Sequence, residues 1–213
     1  MNTLSVGECI GYAWETFKRR PWILIGGVLL ACVISGLPQA IAPYPVPSEP
    51  GVPSPPPSTL AIVTGLVSIV VSIFVSMAFV TFALRAHDNI EALTISDLWN
   101  PAPFWRFLGA YILVALTVAV GFILLIVPGV IASLGLAFAP YLTIDRGMGP
   151  IDAYKGSWHI TKGSKWQLFL LVLALIGLNI LGALALLVGL LVTLPITLIA
   201  TAHAYRVLES RNG

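Results

Sequence analysis

Residues 167–205 read QLFLLVLALIGLNILGALALLVGLLVTLPITLIATAHAY, without an Asp, Glu, Lys or Arg. A helix that spans a bilayer needs about 20 predominantly apolar residues, so this stretch is long enough for two crossings. Gly189 lies near its middle and indicates the turn between them. The stretch therefore predicts a hairpin of two transmembrane helices.

Four further crossings follow from the same pattern. The apolar runs Trp22–Ala42 and Leu60–Leu84 are each long enough for one helix. The uncharged stretch Phe107–Ile144 is long enough for two, and Pro128 with Gly129 reads as the turn between them. We therefore expect an all-α integral membrane protein with six transmembrane helices, arranged as three hairpins.

Composition supports this class of protein. Of 213 residues, 58% are hydrophobic and only 9% are charged, whereas soluble domains are about a quarter charged. So few charges cannot coat a water-exposed surface of this size. The net charge of +2 is too small to indicate a nucleic-acid partner. Cys9 lies in a polar-flanked N-terminal segment and Cys32 inside an apolar run, so a disulfide between them is not expected, and no metal-type spacing exists.

The segment 43–59 reads PYPVPSEPGVPSPPPST. Proline lacks the backbone N–H and clashes with a preceding helical turn, so this segment predicts an extended loop between the first two helices. A proline-rich ligand for a signalling domain is the alternative interpretation. With both termini in the cytoplasm, this loop lies in the periplasm.

The three hairpins have matching ends, which indicates an internal repeat. Each opens with a tryptophan and closes with an arginine, in the pairs Trp22 and Arg85, Trp105 and Arg146, and Trp166 and Arg206. The closing arginines follow one another at 61 and 60 residues. This spacing predicts one membrane domain of three repeats, 1–88, 89–148 and 149–213, around a pseudo-threefold axis.

Small or weakly polar residues recur at matching places in the second helix of each hairpin. The aligned positions are Ser72, Ser133 and Thr193, then Ser76, Ala137 and Thr197. Small residues four apart let helices pack closely in lipid, so these stripes predict helix–helix contacts. Alternatively, they line a polar path on the axis. Asn179, a strongly polar amide in mid-helix, predicts an interhelical hydrogen bond or a place on such a path.

Amphipathic segments precede the first and third hairpins. Val6–Arg20 and Pro150–Lys162 are too short and too charged to span, and they predict helices lying in the membrane interface. Together with the first residues of the hairpins they form a basic, aromatic collar. We define the collar as Trp14, Lys18, Trp22, Trp158, Lys162 and Trp166. Such a collar contacts lipid, either to gather anionic lipid or a peripheral partner or simply to anchor the bundle.

The charges indicate the orientation. With all hairpin ends on one side, that side contains every Lys and Arg, namely Lys18, Arg19, Arg20, Arg85, Arg106, Arg146, Lys155, Lys162, Lys165, Arg206 and Arg211. The opposite side contains one charged residue, Glu49. The positive-inside rule then places both termini in the cytoplasm. The fourth helix, Gly129–Ile144, is short for a ~30 Å core and contains Pro140. It therefore either crosses a locally thinned bilayer or enters the membrane only part of the way.

Little in the sequence indicates catalysis. No ionisable residue lies at the centre of a predicted span, where transport or proton relay would place one. His87, His159 and His203 are dispersed and lack further ligands at metal-binding spacing. We therefore predict no catalytic residue, no metal and no cofactor.

The stretch Pro128–Phe169 reads PGVIASLGLAFAPYLTIDRGMGPIDAYKGSWHITKGSKWQLF. It resembles a broad group of bacterial membrane proteins that includes the membrane domain of some glycerophosphoryl diester phosphodiesterases. The resemblance implies a helical bundle of the bacterial inner membrane. It implies no catalytic residue here, because the phosphodiesterase domain is a separate soluble barrel.

Three classes of function remain open. The first is a non-enzymatic scaffold that associates with lipid, the envelope or a protein partner. The second is a transporter or channel for an uncharged or amphiphilic solute, although transporters usually place polar residues in the membrane. The third is a membrane enzyme that acts on lipid, for which no nucleophile and base are identifiable. We favour the first class.

Overall fold

A computed structural model of the protein describes residues 4–41, 58–98, 104–185 and 188–212. Within these ranges the chain forms α-helices, one 3₁₀ turn at Ile95–Leu98 and no strand. The α-helices are α1 (Val6–Arg19), α2 (Pro21–Ile41), α3 (Thr59–Asp88), α4 (Phe104–Leu124), α5 (Ile126–Leu136), α6 (Ala139–Asp145), α7 (Pro150–Ile160), α8 (Lys165–Leu184) and α9 (Leu190–Asn212). The predicted loop 43–59 lies outside the described residues, except for Ser58 and Thr59 at the start of α3.

Six helical stretches of the described ranges are long and apolar enough to cross a membrane, which confirms the predicted number of apolar helices. They are Pro21–Pro38, Thr59–Asp88, Phe104–Leu124, Ile126–Asp145, Lys165–Leu184 and Leu190–Arg211. Large apolar side chains are exposed along them, such as Leu66 and Ile123. Surfaces of this kind are stable against lipid rather than water, so the fold is that of a multi-pass membrane protein.

The fourth of these stretches consists of two helices, α5 and α6, and the turn before it lies at Leu125. The prediction of a turn at Pro128 and Gly129 is therefore wrong by a few residues. Proline needs no amide donor in the first turn of a helix, so Pro128 is accommodated in the first turn of α5, two residues after its start. Gly129 has a packing role, because a Cβ on Gly121 of α4 would lie only 2.9 Å from the Gly129 Cα.

The buried core lies at one end of the bundle, where α1 and the second half of α3 pack against α9. Its largest fully buried side chains include Phe82, Phe138 and Tyr205. The first half of α3 is mostly exposed. Packing among the described residues is therefore concentrated at the end where α3 and α9 finish, and this end contains the basic residues.

The two amphipathic segments form α1 and α7, and each has one face toward the bundle. α1 buries Ala13 and Phe17, whereas α7 buries Ala153 and Ile160 where it packs against α4 and α6. Polar and charged side chains such as Lys155 occupy the opposite faces. That α1 and α7 lie along a membrane surface stays a prediction.

Candidate functional site at the basic end of the bundle

The break between α5 and α6 is held by two hydroxyl groups of the α7 segment. The Ser157 hydroxyl donates to the Gly135 carbonyl at 2.9 Å and accepts the Phe138 amide at 3.2 Å. The Thr161 hydroxyl lies 3.1 Å from the same carbonyl. Both hydroxyl residues are fully buried. Backbone groups in a membrane need protein partners, so these bonds stabilise an interruption that would otherwise be costly.

An ion network centred on Arg206 joins the ends of α3, α6 and α9. The Arg206 Nη1 and Nη2 each donate to one oxygen of Asp145 at 2.8 Å. The Nε donates to Asp88 at 3.1 Å, and Nη1 also donates to Glu209 at 3.0 Å. Arg146 donates to the other oxygen of Glu209 at 2.6 Å. Bidentate pairs of this kind are geometrically specific, so the network positions three helix ends relative to one another.

Beside this network, two histidines that are far apart in the chain form a direct contact. The His87 Nε2 lies 3.0 Å from the His203 Nδ1, so one ring donates a hydrogen bond to the other. The Tyr12 ring stacks on His203 with centroids 4.3 Å apart, and its hydroxyl donates to the His87 carbonyl at 2.8 Å. The sequence gives no sign of this pair, because its spacing belongs to no local motif. Among the described residues, no three His, Cys, Asp or Glu side chains could hold a metal ion together.

A groove opens between α4, α5 and α7. It has a volume of about 400 Å³ and is lined by Thr117, Ala132, Tyr154, Lys155 and Trp158. The Trp158 ring covers the backbone of Gly135, where an added Cβ would lie 2.5 Å from the ring. The Lys165 Nζ lies 3.4 Å from the centre of the same ring, a cation–π contact.

Residues 58–212 match the sequence family described as "Protein of unknown function (DUF975)". The chain belongs to this family. The match covers α3 to α9, and therefore the ion network, the histidine pair and the groove. No solved structure matches the chain.

This DUF975 protein is also similar to mycobacterial proteins over nearly its whole length. Uncharacterized protein Rv2560 of Mycobacterium tuberculosis is 25% identical over 224 residues, which cover 96% of this chain and 69% of the relative. Uncharacterized protein Mb2590 of Mycobacterium bovis has the same identity and coverage. These findings contain no link to glycerophosphoryl diester phosphodiesterases, so that resemblance stays a prediction.

The predicted stripes of this DUF975 protein occupy unlike surroundings. Thr193 is buried against Gly182, where an added Cβ would lie 2.6 Å from the threonine hydroxyl. Thr197 accepts a hydrogen bond from the Asn179 amide at 2.8 Å, which joins α8 to α9. The remaining stripe hydroxyls bond to carbonyls of the preceding turn in their own helices: Ser72, Ser76 and Ser133. Ser72 is exposed.

The collar residues of this DUF975 protein differ in their partners. Trp22 and Trp166 are 84% and 67% exposed, as expected of rings that face lipid headgroups. Trp14 and Trp158 are less exposed, at 45% and 40%. Lys18 forms an ion pair with Glu15 at 2.7 Å. In the part of the chain that the structure describes, three lysines have no carboxylate within ion-pair distance: Lys155, Lys162 and Lys165.

Proposed function

We propose that this protein is a non-enzymatic scaffold of the bacterial inner membrane that gathers anionic lipid at its cytoplasmic end. One observation carries the proposal. Lys155, Lys162 and Lys165 have no carboxylate partner among the described residues, although Asp145 and Glu209 lie at the same end of the bundle. Those acids are engaged by arginines, so the three lysines are available to anionic headgroups.

The aromatic side chains around these lysines support the same proposal. The exposed Trp166 ring begins α8, directly after Lys165, and Trp158 lies against the Lys165 ammonium. Tryptophan prefers the headgroup region, and a lysine near an anionic membrane gains about 1 kcal/mol. Trp158 and Trp166, together with the three lysines, therefore combine both chemical features that bind an anionic membrane surface.

The proposed orientation has both termini in the cytoplasm and three hairpins related by a pseudo-threefold axis. Two hairpins have the same close glycine contact at their turns, between Gly121 and Gly129 and between Gly182 and Gly189. These glycines follow one another at 61 and 60 residues, the same spacing as the closing arginines. This likeness supports a repeat over 89–148 and 149–213, and 1–88 is proposed as the first copy.

A structural role is also supported by the ion network. Its two arginines form ion pairs with three carboxylates across three helix ends, and these pairs stabilise the bundle. Membrane lipids are the proposed partners, and a membrane or peripheral protein that meets the same cytoplasmic face is a further one. The relation to the phosphodiesterase membrane domain belongs to this proposal as well.

The test is lipid enrichment in nanodiscs made from equal parts phosphatidylethanolamine and phosphatidylglycerol. We compare the wild type with a variant in which Lys155, Lys162 and Lys165 are replaced by Gln. The lipid that stays bound is quantified by native mass spectrometry. Enrichment of phosphatidylglycerol should fall by about fivefold for each lysine removed, because each contributes about 1 kcal/mol.

Lys18→Gln is the control, because Lys18 already has a carboxylate partner in Glu15. It should leave the bound lipid almost unchanged. Thermal unfolding in detergent verifies that each variant folds. If the triple variant retains the wild-type enrichment, the scaffold does not gather anionic lipid through these lysines and the proposal is wrong.

A further inference from the structure

The groove between α4, α5 and α7 has apolar walls and a cationic edge. Ala132 and the Trp158 ring provide apolar surface. The Thr117 hydroxyl is engaged by the Leu113 carbonyl of its own helix at 2.9 Å. The polar groups that remain for a ligand are the Lys155 ammonium and the Tyr154 hydroxyl, and both lie on α7.

We propose that this groove binds one anionic phospholipid of the cytoplasmic leaflet, with its phosphate on Lys155 and an acyl chain between Thr117, Ala132 and Trp158. The inference deepens the proposed function and rests on it, because it assigns a defined site to lipid that the collar gathers.

Charge complementarity selects an anionic ligand. Lys155 is exposed and, among the residues described, has no carboxylate within ion-pair distance. The neighbouring acid, Asp152, points back to the start of α7, where its Oδ2 lies 3.5 Å from the position of a Cβ on Gly149. The Lys165 ammonium lies 3.4 Å from the centre of the Trp158 ring that lines the groove.

The shape of the groove selects a lipid over a protein segment. A helix with its side chains is about 10–12 Å wide and would need an extended face. This groove is lined by single residues of α4 and α5 and three residues of α7. An acyl chain is narrower than a helix, and the α4 and α5 walls of the groove belong to stretches suited to span a membrane. The occupant to which we commit is therefore a phospholipid, not a second copy of the chain.

A second groove provides an internal comparison. It lies between α3 and α4, has a volume of about 520 Å³ and is lined by Ser68, Ile69, Ser72, Ile73, Leu108, Tyr111, Ile112, Ala115 and Leu116. None of these residues is charged. An acyl chain can enter either groove, but only the groove with Lys155 should select the charge of the headgroup.

The experiment places the photo-crosslinking residue p-benzoylphenylalanine at Tyr154 in one protein and at Tyr111 in another. Each full-length protein is reconstituted in equal parts phosphatidylethanolamine and phosphatidylglycerol and irradiated. Intact-protein mass spectrometry then identifies the adducts. At Tyr154 we expect phosphatidylglycerol adducts to exceed phosphatidylethanolamine adducts by about fivefold. At Tyr111 we expect equal amounts.

Two matched variants test the assignment to Lys155. Lys155→Gln in the Tyr154 probe protein should reduce the preference to equal amounts, and Lys18→Gln should leave it unchanged.

Thr117→Trp fills the groove and should reduce all adducts at Tyr154. Ile123→Trp, at an exposed position of the same helix, should not. Equal adducts of the two lipids at Tyr154 in otherwise unmodified protein would overturn the inference, as would a cross-linked dimer.

The outcomes separate the groove from the collar. If the triple lysine variant loses phosphatidylglycerol enrichment in nanodiscs but the Tyr154 adducts show no preference, the three lysines gather lipid and the groove proposal is wrong. If the Tyr154 adducts depend on Lys155 but nanodisc enrichment does not change in the triple variant, the groove binds an anionic lipid and the proposal that the three lysines gather lipid is wrong. If both measurements are insensitive to the lysines, both proposals are wrong.

Discussion

At the scale of single residues, two hydroxyl groups explain how an apolar helix can be interrupted. Pro140 lies in the first turn of α6, where its missing N–H costs little. The interruption nevertheless leaves the Gly135 carbonyl and the Phe138 amide without partners in their own helix. The Ser157 hydroxyl forms a hydrogen bond with each of them. The sequence resemblance includes Ser157, but it shows no role for this residue, because the partners are brought together only by packing.

Ser157→Ala should destabilise the protein by about 1–3 kcal/mol, because it leaves the buried Phe138 amide without an acceptor. The measurement is the midpoint of thermal or denaturant unfolding in detergent. Ser210→Ala is the matched control, because Ser210 is exposed and its hydroxyl bonds to the Val207 carbonyl of its own helix. An equal effect of the two substitutions would show that the bond to the break contributes no stability.

The histidine pair shows where residue-level prediction ends. Hydropathy and spacing place His87 and His203 near the ends of two apolar runs, and they predict no contact. The contact arises because α3 and α9 finish side by side and Tyr12 of α1 packs over both rings. Which side chains meet is a tertiary property, and a single sequence contains no local signal for it.

At the scale of elements, hydropathy predicts where apolar helices exist better than where they end. The predicted run Trp22–Ala42 corresponds closely to α2. The predicted run Leu60–Leu84 is shorter than α3, which continues to Asp88. The extra turn is polar, but its side chains are engaged, and Arg206 binds Asp88. A hydropathy argument stops at the first charge, whereas a helix continues while its polar groups have partners.

The small-residue stripes can be tested with one matched pair of substitutions. Thr193→Leu places a larger side chain against Gly182, so overpacking should cost about 1–3 kcal/mol. Ser72→Leu adds the same side chain at an aligned position of α3 that is exposed, so stability in detergent should change by less than about 0.5 kcal/mol. Both are measured by unfolding in the same detergent. If Thr193→Leu is neutral, the face of α9 next to α8 does not tightly constrain the bundle.

At the scale of the whole molecule, the bundle is built unequally along its length. The ion network and the histidine pair lie at the end where the basic residues gather. The first half of α3 and much of α2 present apolar side chains to the surroundings. The number of apolar helices was predictable because lipid imposes length and hydropathy on each one. The contacts that join the helix ends were not predictable, because they form between residues that are distant in the sequence.

The orientation of the molecule can be tested because its native cysteines are easily separated. Cys9 is buried in α1, where burial and the neighbouring Glu8 raise the pKa of its thiol to about 11. Maleimides react with the thiolate, so Cys9 should stay unlabelled near neutral pH. Cys32 is exposed, and Cys32→Ser removes it. This variant should give no signal with a membrane-impermeant maleimide in intact cells, and it is the background for the test.

In that background, Glu49→Cys should be labelled from outside intact cells, whereas His159→Cys should be labelled only after the membrane is permeabilised. The reason is the distribution of charge in the proposed topology, which puts every Lys and Arg on the side of His159 and one charged residue, Glu49, on the other. His159 is exposed, so accessibility within the protein does not limit its reaction. Labelling of His159→Cys in intact cells would reverse the orientation, and it would also place Lys155 and the collar in the outer leaflet.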